Sequence, residues 1–270
     1  MAKILSTEDG TSTLFLDEYD QAMHSISGAY QESMLKHVIP SRILERKDQE
    51  LHVLDAGFGL GYNVLALICK FAALRSDRML HIISLEKERS FSTFMDRISF
   101  NDSRDEYYKL IKKAYSEAEL FQDNLHIRVI FGDARKSIQQ LKGHKFHAVF
   151  QDPFSPSRNP EMWSVDYFKI IAALMDSGCI ITTYSSADHI RMAMKEAGLF
   201  IGPGPSVGKK REGTIASNSR MIEELDESRM NDIIKNIKSE PYRDPELVLS
   251  REEILNDRIK RMNTRKKASR

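Results

Sequence analysis

The stretch Asp55-Ala-Gly57-Phe-Gly59-Leu-Gly61-Tyr-Asn63 sets three glycines at alternate positions, between an apolar run and a helix-like one. Glycine lets a backbone turn tightly and come close to a ligand. The spacing is G-x-G-x-G; a dinucleotide fingerprint, G-x-G-x-x-G, would place its third glycine at Tyr62. Three acids end three further apolar runs: Glu86 in SLEK, Asp133 in FGDA and Asp152 in FQDP. A carboxylate at Glu86 can accept hydrogen bonds from both hydroxyls of a ribose. Asp133 suits a hydrogen bond from an adenine amino group, with the Ala134 N–H against the ring. A single acid of this kind is commonly a helix N-cap. Three at successive strand ends, beside a glycine loop, point to a nucleoside site.

Such a site needs strands that end together. Five short apolar runs predict them: residues 51–57, 80–86, 125–133, 146–152 and 179–184. Each is apolar almost throughout, as strands buried on both faces of a parallel sheet are. Helical patterns lie between and after them at 62–74, 87–100, 134–143, 165–176 and 188–198. The alternation predicts an α/β layered fold with right-handed crossovers. Ahead of it, Asp9-Gly10 predicts a small hairpin and residues 28–39 a helix. A strand-like pattern at the end of the core, EGTIAS, precedes a charged, mixed region with two exposed helices. The expected organisation is an N-terminal extension over 1–45, a core over 46–218 and a helical appendage over 219–270.

The bulk numbers bound the partners. The 270 residues are 41% hydrophobic, enough for a sizeable core, and the net charge of +1 excludes a generic polyanion binder. The charge is uneven: residues 258–270 hold seven basic residues and no acid. That end is either a solvated tail or a phosphate-contacting one. Cys69 and Cys179 sit far apart in apolar stretches, and read as small buried hydrophobes in a reducing compartment. The first residues lack the apolar region of a signal peptide, and no run reaches a membrane span of about 18 apolar residues. A soluble, cytoplasmic protein is expected, with no membrane partner. His52, His81, His126 and His147 each sit near a strand start, show no metal-ligand spacing and lead to no expectation of a metal.

The G-x-G-x-G form after a first strand is the usual one in S-adenosylmethionine methyltransferases. More specifically, the chain resembles the methyltransferase domain of the tRNA 5-methylaminomethyl-2-thiouridine biosynthesis bifunctional proteins. The stretches that carry this are GAYQES (28–33), GFGLGYN (57–63), SLEK (84–87), GDA (132–134), DPFSPSRNPEMWS (152–164), TYSSADHIRMAMKEAGL (183–199) and GKKRE (208–212), in family order. The resemblance implies a Rossmann-like class I fold and S-adenosylmethionine as cofactor. Its candidate contacts are Asp55, Gly57, Phe58, Gly59, Gly61, Asn63, Glu86, Lys87, Asp133, Ala134 and Asp152. The implied reaction is methyl transfer to the primary amine of a 5-aminomethyl group on the wobble uridine, in a tRNA anticodon stem-loop. The bifunctional proteins continue into an FAD-dependent oxidase domain, for which this chain leaves no room. It resembles a stand-alone form without FAD, to which upstream enzymes must supply the aminomethyl uridine. Pro153 stands where bifunctional members often have glycine.

Under that resemblance Asp152 is the candidate catalytic residue. An amine must be neutral to attack, and alkylamines are mostly protonated at neutral pH, as the lysine reference value of about 10.4 indicates. Asp152 can hold the amine through a charge-assisted hydrogen bond and take or relay its proton. Pro153, Pro156 and Pro160 stiffen the loop that follows. Phe154 or Trp163 can stack on the uracil or wall off the sulfonium; Trp163 can instead anchor the next helix. Pro156 and Asn159 complete the candidate substrate loop. Tyr30, Gln31 and Ser33 either line the substrate mouth or serve helix packing. Lys209, Lys210 and Arg211 are candidates for anticodon phosphates, or a solvated charge run. Two rivals stand beside this reading. One is a small-amine methyltransferase or aminopropyltransferase on the same fold. The other is a tRNA-binding protein without catalysis.

Overall fold

The computed structural model describes residues 2–24, 28–206 and 212–268. The chain opens with β1 (Ala2–Ser6) and β2 (Ser12–Leu16), antiparallel, joined by the Asp9-Gly10 turn; β3 (Gln21–Ala22) pairs with β2. Asp9 Oδ1 organises the turn, accepting from Thr7 Oγ1, Thr11 N and Thr11 Oγ1. Helix α1 (Ala29–Ser33) widens into a π turn over Met34–Val38. Ile39 N bonds Met34 O there, one residue beyond the α-helical step.

The core follows the expected alternation. Its elements are β4 (Glu50–Ala56), α2 (Tyr62–Ala72), β5 (Met79–Glu86), α3 (Ser92–Met95), α4 (Arg104–Glu117), β6 (Glu119–Gln122) and β7 (Leu125–Phe131). Then come α5 (Ala134–Ser137), β8 (Phe146–Gln151), α6 (Val165–Leu174), β9 (Met175–Thr183), α7 (Asp188–Glu196), β10 (Phe200–Pro203) and β11 (Thr214–Ser217). The eight-stranded sheet has the order β10-β11-β9-β8-β4-β5-β7-β6. Its five central strands are parallel, and β6, β10 and β11 pair antiparallel at the edges. The chain winds outward from β4 through β5 to β7, then returns to β8 on the other side of β4. Ligands of open α/β sheets bind at such a switch point, beyond the carboxyl ends of the strands.

One helix is not where periodicity places it. Phe91, Met95, Ile98 and Phe100 are all buried, a helix-like spacing, yet only Ser92–Met95 are helical and turns carry the rest. The long helix between β5 and β6 is α4. Tyr108, Ile111, Ala114 and Tyr115 form its buried stripe, and the charged residues that dominate the remainder mask that stripe in the sequence. The short edge strands β6 and β10 are likewise additions to the expected set.

Beyond β11, α8 (Glu227–Lys235) and α9 (Arg251–Ala268) follow. Tyr242, Leu247 and Ile254 are buried in the same cluster as Trp163, Val165 and Phe168. Asp244, fully buried, accepts from Arg135 Nη1 at 2.7 Å and from the backbone N–H groups of Val248 and Leu249. Residues 258–268 of the basic end are helical, and three of its seven basic residues make contacts within the molecule. Arg261 and Arg265 pair with Glu240, and Arg258 donates to the carbonyls of Glu240 and Lys238.

Candidate active site

A cavity of about 300 Å³ opens at the switch point. It is lined by the glycine loop, the ends of β5, β7 and β8, the loop after β8 and part of the N-terminal sheet. Gly57 has φ +110°, and a Cβ there would meet Asp152 O at 2.7 Å; only glycine lets β4 leave the sheet against β8. Gly61 (φ +78°) begins α2 so close to α4 that a Cβ would meet Ile111 Cγ2 at 2.6 Å.

Glu86 closes this loop onto β5. Its Oε2 accepts from Gly59 N at 2.7 Å, and its Oε1 from Lys87 N at 2.7 Å and Glu88 N at 2.8 Å. Burial pushes its pKa up to about 7, against those three N–H groups, which favour the ionised form. Two carboxylate oxygens offer about four acceptor sites, so capacity remains for a hydroxyl ligand. Lys87 lines the same rim and faces Glu18 Oε1 at 3.9 Å.

Asp133 is both a cavity wall and the N-cap of α5. It accepts from Arg135 N, Nε and Nη2. Burial opposes ionisation, but the Arg135 hydrogen bonds and charge hold the carboxyl below its ordinary pKa. Arg135 in turn reaches Asp244 and Leu249 O, so the C-terminal segment braces this wall. Ala134 lines the cavity beside it.

Asp152 stands where β8 ends, with its side chain 18% exposed. Asn63 Nδ2 donates to its Oδ2 at 2.9 Å, and His37 Nε2 lies 3.5 Å from its Oδ1. Burial pushes the carboxyl up, but His37, His24 and Asn63 together hold its pKa below the ordinary value. Asp55, one strand over, is fully buried and lies behind the cavity lining. Ser84 Oγ donates to it at 2.9 Å and Asn63 Nδ2 lies at 3.4 Å. Burial, with Asp152 adding to it, pushes Asp55 up to about 7. Asn63 bridges the two carboxyls, and its own Oδ1 is buried without a protein partner. Asp55, Gly61 and Asn63 therefore shape the site from beneath.

The loop after β8 divides into surface and anchor. Phe154 stacks on Tyr19 with ring centroids 3.9 Å apart, and both line the cavity. Asn159 also lines it, donating to Glu161 Oε2 at 3.0 Å. Trp163 does not reach it. Its side chain has no exposure, its Nε1–H donates to Phe154 O at 2.9 Å, and its ring packs on Phe168 and Tyr184. Stacking of Trp163 on a substrate base is thus corrected to an internal anchor for the loop. Pro156 is half-buried outside the cavity lining, where it stiffens the loop.

The GAYQES helix contributes differently from the expectation. Tyr30 packs near Cys69 and under Arg104, Gln31 is exposed at the Asp9 turn, and Ser33 is buried. None lines the cavity: Tyr30 and Ser33 pack within the fold, and Gln31 faces solvent. The same helix delivers His37, whose Nδ1 pairs with Thr182 Oγ1 at 2.9 Å. Sequence reasoning passed over it, because nothing in KHV marks a π turn. Tyr19, Gln21, Met23 and His24 of the hairpin region and Tyr184 after β9 are further lining residues that motif reading missed. Lys209, Lys210 and Arg211 lie outside the described residues.

Residues 99–219 match the family described as S-adenosyl-L-methionine-dependent methyltransferase. The chain is 32% identical over 269 residues to an uncharacterized protein of Methanocaldococcus jannaschii, covering 96% of this chain and 72% of that one. It is 28% identical over 209 residues to the tRNA 5-methylaminomethyl-2-thiouridine biosynthesis bifunctional protein MnmC of Pseudomonas fluorescens, covering 72% of this chain and 31% of the relative. It thus spans about a third of that bifunctional protein's length. Among solved structures, MnmC2 from Aquifex aeolicus superposes with a TM-score of 0.89 at 31% identity, covering 98% of this chain and 86% of that one. With a glycine loop and strand-end acids around one cavity, and likeness over nearly its whole length, the chain belongs to the MnmC2-like family of S-adenosyl-L-methionine-dependent methyltransferases.

Proposed function

We propose that the protein methylates the primary amine of a 5-aminomethyl group on the wobble uridine of tRNA, using S-adenosylmethionine. The observation that carries this is Asp152: an acid held in its ionised form at the cavity wall, against the glycine loop and beside a stacked aromatic pair.

The residues fit the cofactor. A glycine loop with positive φ clears space for it, and Glu86 has acceptor capacity for its ribose. Asp133 and Ala134 would face the adenine, with Asp133 sharing its carboxylate with Arg135. When bound, the cofactor supplies an electrophilic methyl carbon on a sulfonium.

The protein's part is to hold the amine and strip its proton. Asp152 attracts the ammonium form and orients it by a charge-assisted hydrogen bond. Its low pKa makes it a poor final proton acceptor, so a relay is needed. The proposed relay is His37, whose Nε2 lies 3.5 Å from Asp152 Oδ1 and whose Nδ1 pairs with Thr182 Oγ1 at 2.9 Å. The freed lone pair can then attack in line, and fixed alignment supplies several kcal/mol. Phe154 and Tyr19 offer the base an aromatic edge. Lys209, Lys210 and Arg211 are the proposed phosphate contacts. Upstream enzymes would deliver the aminomethyl uridine.

The test is nucleoside mass spectrometry after incubation with S-adenosylmethionine and tRNA carrying 5-aminomethyl uridine. Gain of one methyl group on that nucleoside, lost in Asp152→Ala, supports the reading. Transfer to small amines but not to tRNA would replace it with a small-molecule methyltransferase. Cofactor binding with no transfer to either would leave a binding protein.

A further inference from the structure

At the opposite end of the sheet, four strands align a row of imidazoles. His52 pairs in register with His81, and His81 with His126; His147 completes the row beside His52. In-register residues point to the same face of a sheet. Glu50, two residues before His52 on β4, adds a carboxylate to that face. We propose that Glu50, His52 and His81 form a zinc-binding site at the amino ends of β4 and β5.

Three observations carry it. The ligand atoms of the three residues all lie within 4.8 Å of one another. Glu50 Oε2 is 3.4 Å from His52 Nε2 and 3.7 Å from His81 Nε2. A tetrahedral ion with bonds of about 2.0–2.1 Å requires ligand–ligand edges of about 3.4 Å. Second, His81 Nε2 is buried without a hydrogen-bond partner, an arrangement that costs stability unless something fills it.

Third, the hydrogen bonds behind His81 suit the tautomer that a ligand needs. Glu119 Oε1 lies 3.0 Å from His126 Nε2, and a carboxylate only accepts, so His126 Nε2 carries the proton. His81 Nδ1 lies 3.2 Å from His126 Nδ1, and in the arrangement a ligand needs, His81 Nδ1 donates and His126 Nδ1 accepts. His81 Nε2 is left as a bare lone pair beside Glu50 and His52. A carboxylate–histidine relay behind a ligating imidazole is the usual support of a metal ligand. The His52 and His81 rings stack at 4.6 Å and 8°, and an ion lies in the plane of each imidazole that holds it, so one ring must rotate out of the stack for the two to share an ion. Two imidazoles and one carboxylate suit zinc, with the fourth position open to water. The site lies five residues from Gly57 along β4, roughly 16 Å, and would clamp strand ends rather than take part in transfer.

The test uses the untagged full chain, dialysed against chelator and titrated with Zn²⁺ by calorimetry and with Co²⁺ by visible absorption. One equivalent should bind, and Co²⁺ should give the intense bands of a four-coordinate site. His81→Ala and Glu50→Ala should each weaken binding at least about tenfold, and His126→Ala about 10–100-fold through loss of the relay. His144→Ala, exposed and outside the row, should bind as the parent does. Circular dichroism and cofactor affinity, read at the far end of the sheet, confirm that each variant is folded. No uptake by the folded parent, or uptake that Glu50→Ala and His81→Ala leave unchanged, overturns the site. Several weak sites reduced equally by His144→Ala overturn it as well.

Discussion

His37 Nε2 lies 3.5 Å from Asp152 Oδ1, although one residue sits on a π turn near the amino terminus and the other at the end of β8. The contact places an imidazole behind the carboxylate that faces the cavity. It divides the proposed work between two residues: Asp152 orients the amine, and His37 relays the proton.

If that division holds, Asp152→Asn keeps S-adenosylmethionine affinity within about threefold, because Asn63 and the glycine loop persist. Turnover should fall by about 10²–10⁴, the usual worth of a positioned acid–base group. Calorimetry and single-turnover methyl transfer read the two separately. Equal losses in both would make Asp152 a cofactor ligand.

For His37→Gln the expected loss in kcat is about 10–100-fold, with cofactor affinity unchanged. The pH profile separates relay from scaffold. Toward the amine's own pKa, about 10, substrate arrives neutral and needs no relay, so the deficit should shrink as pH rises. A deficit constant across pH would assign His37 to packing.

Glu86 tethers the glycine loop through Gly59 N while facing the proposed ribose. Glu86→Gln loses the charge that strengthens these hydrogen bonds, and puts a donor NH₂ against backbone N–H groups. Cofactor Kd should rise by about 10–100-fold, with kcat at saturation much less affected. An unchanged Kd would remove Glu86 from the cofactor site.

Trp163 is a stability residue in this structure, wholly buried with its indole N–H on Phe154 O. Trp163→Ala should cost about 3–5 kcal/mol of stability, as large-to-small core changes do. Trp163→Phe should fold with a lower Tm and a loosened loop after β8. Its cofactor Kd should match the parent, while KM for tRNA rises. Denaturant melts and steady-state kinetics check both.

Asp55 gives a pH signature. Its folded pKa of about 7 exceeds its ordinary 3.8, so the folded state holds the proton more tightly than the unfolded chain. That contribution is present in full below pH about 4 and is lost as pH rises through about 7. Between pH 5 and 8 the parent should lose on the order of 2–4 kcal/mol more stability than Asp55→Asn. Parallel stability–pH curves for the two proteins would contradict the buried-acid assignment.

Much of this was readable along the chain. The apolar runs locate all five central strands to within a few residues, because strands buried on both faces must be apolar throughout. The glycine spacing and the acids Glu86, Asp133 and Asp152 mark the cavity, since all lie where strands end and the chain has to turn. Helix α4 was hidden because its buried stripe is narrow and half of it is tyrosine.

What only the tertiary structure decided are the relationships between distant residues. Whether a side chain meets the cavity depends on neighbours brought in by other elements, which no local pattern encodes. Trp163 shares a loop with Phe154 yet points inward, because Phe168 and Tyr184 close over it. Tyr30 packs on α2 while His37, two turns on, reaches Asp152 because the π turn rotates the helix face. The histidines at 52, 81 and 126 show no ligand spacing in sequence. Parallel register alone sets them side by side, since strands adjacent in a sheet bring equivalent positions within about 5 Å.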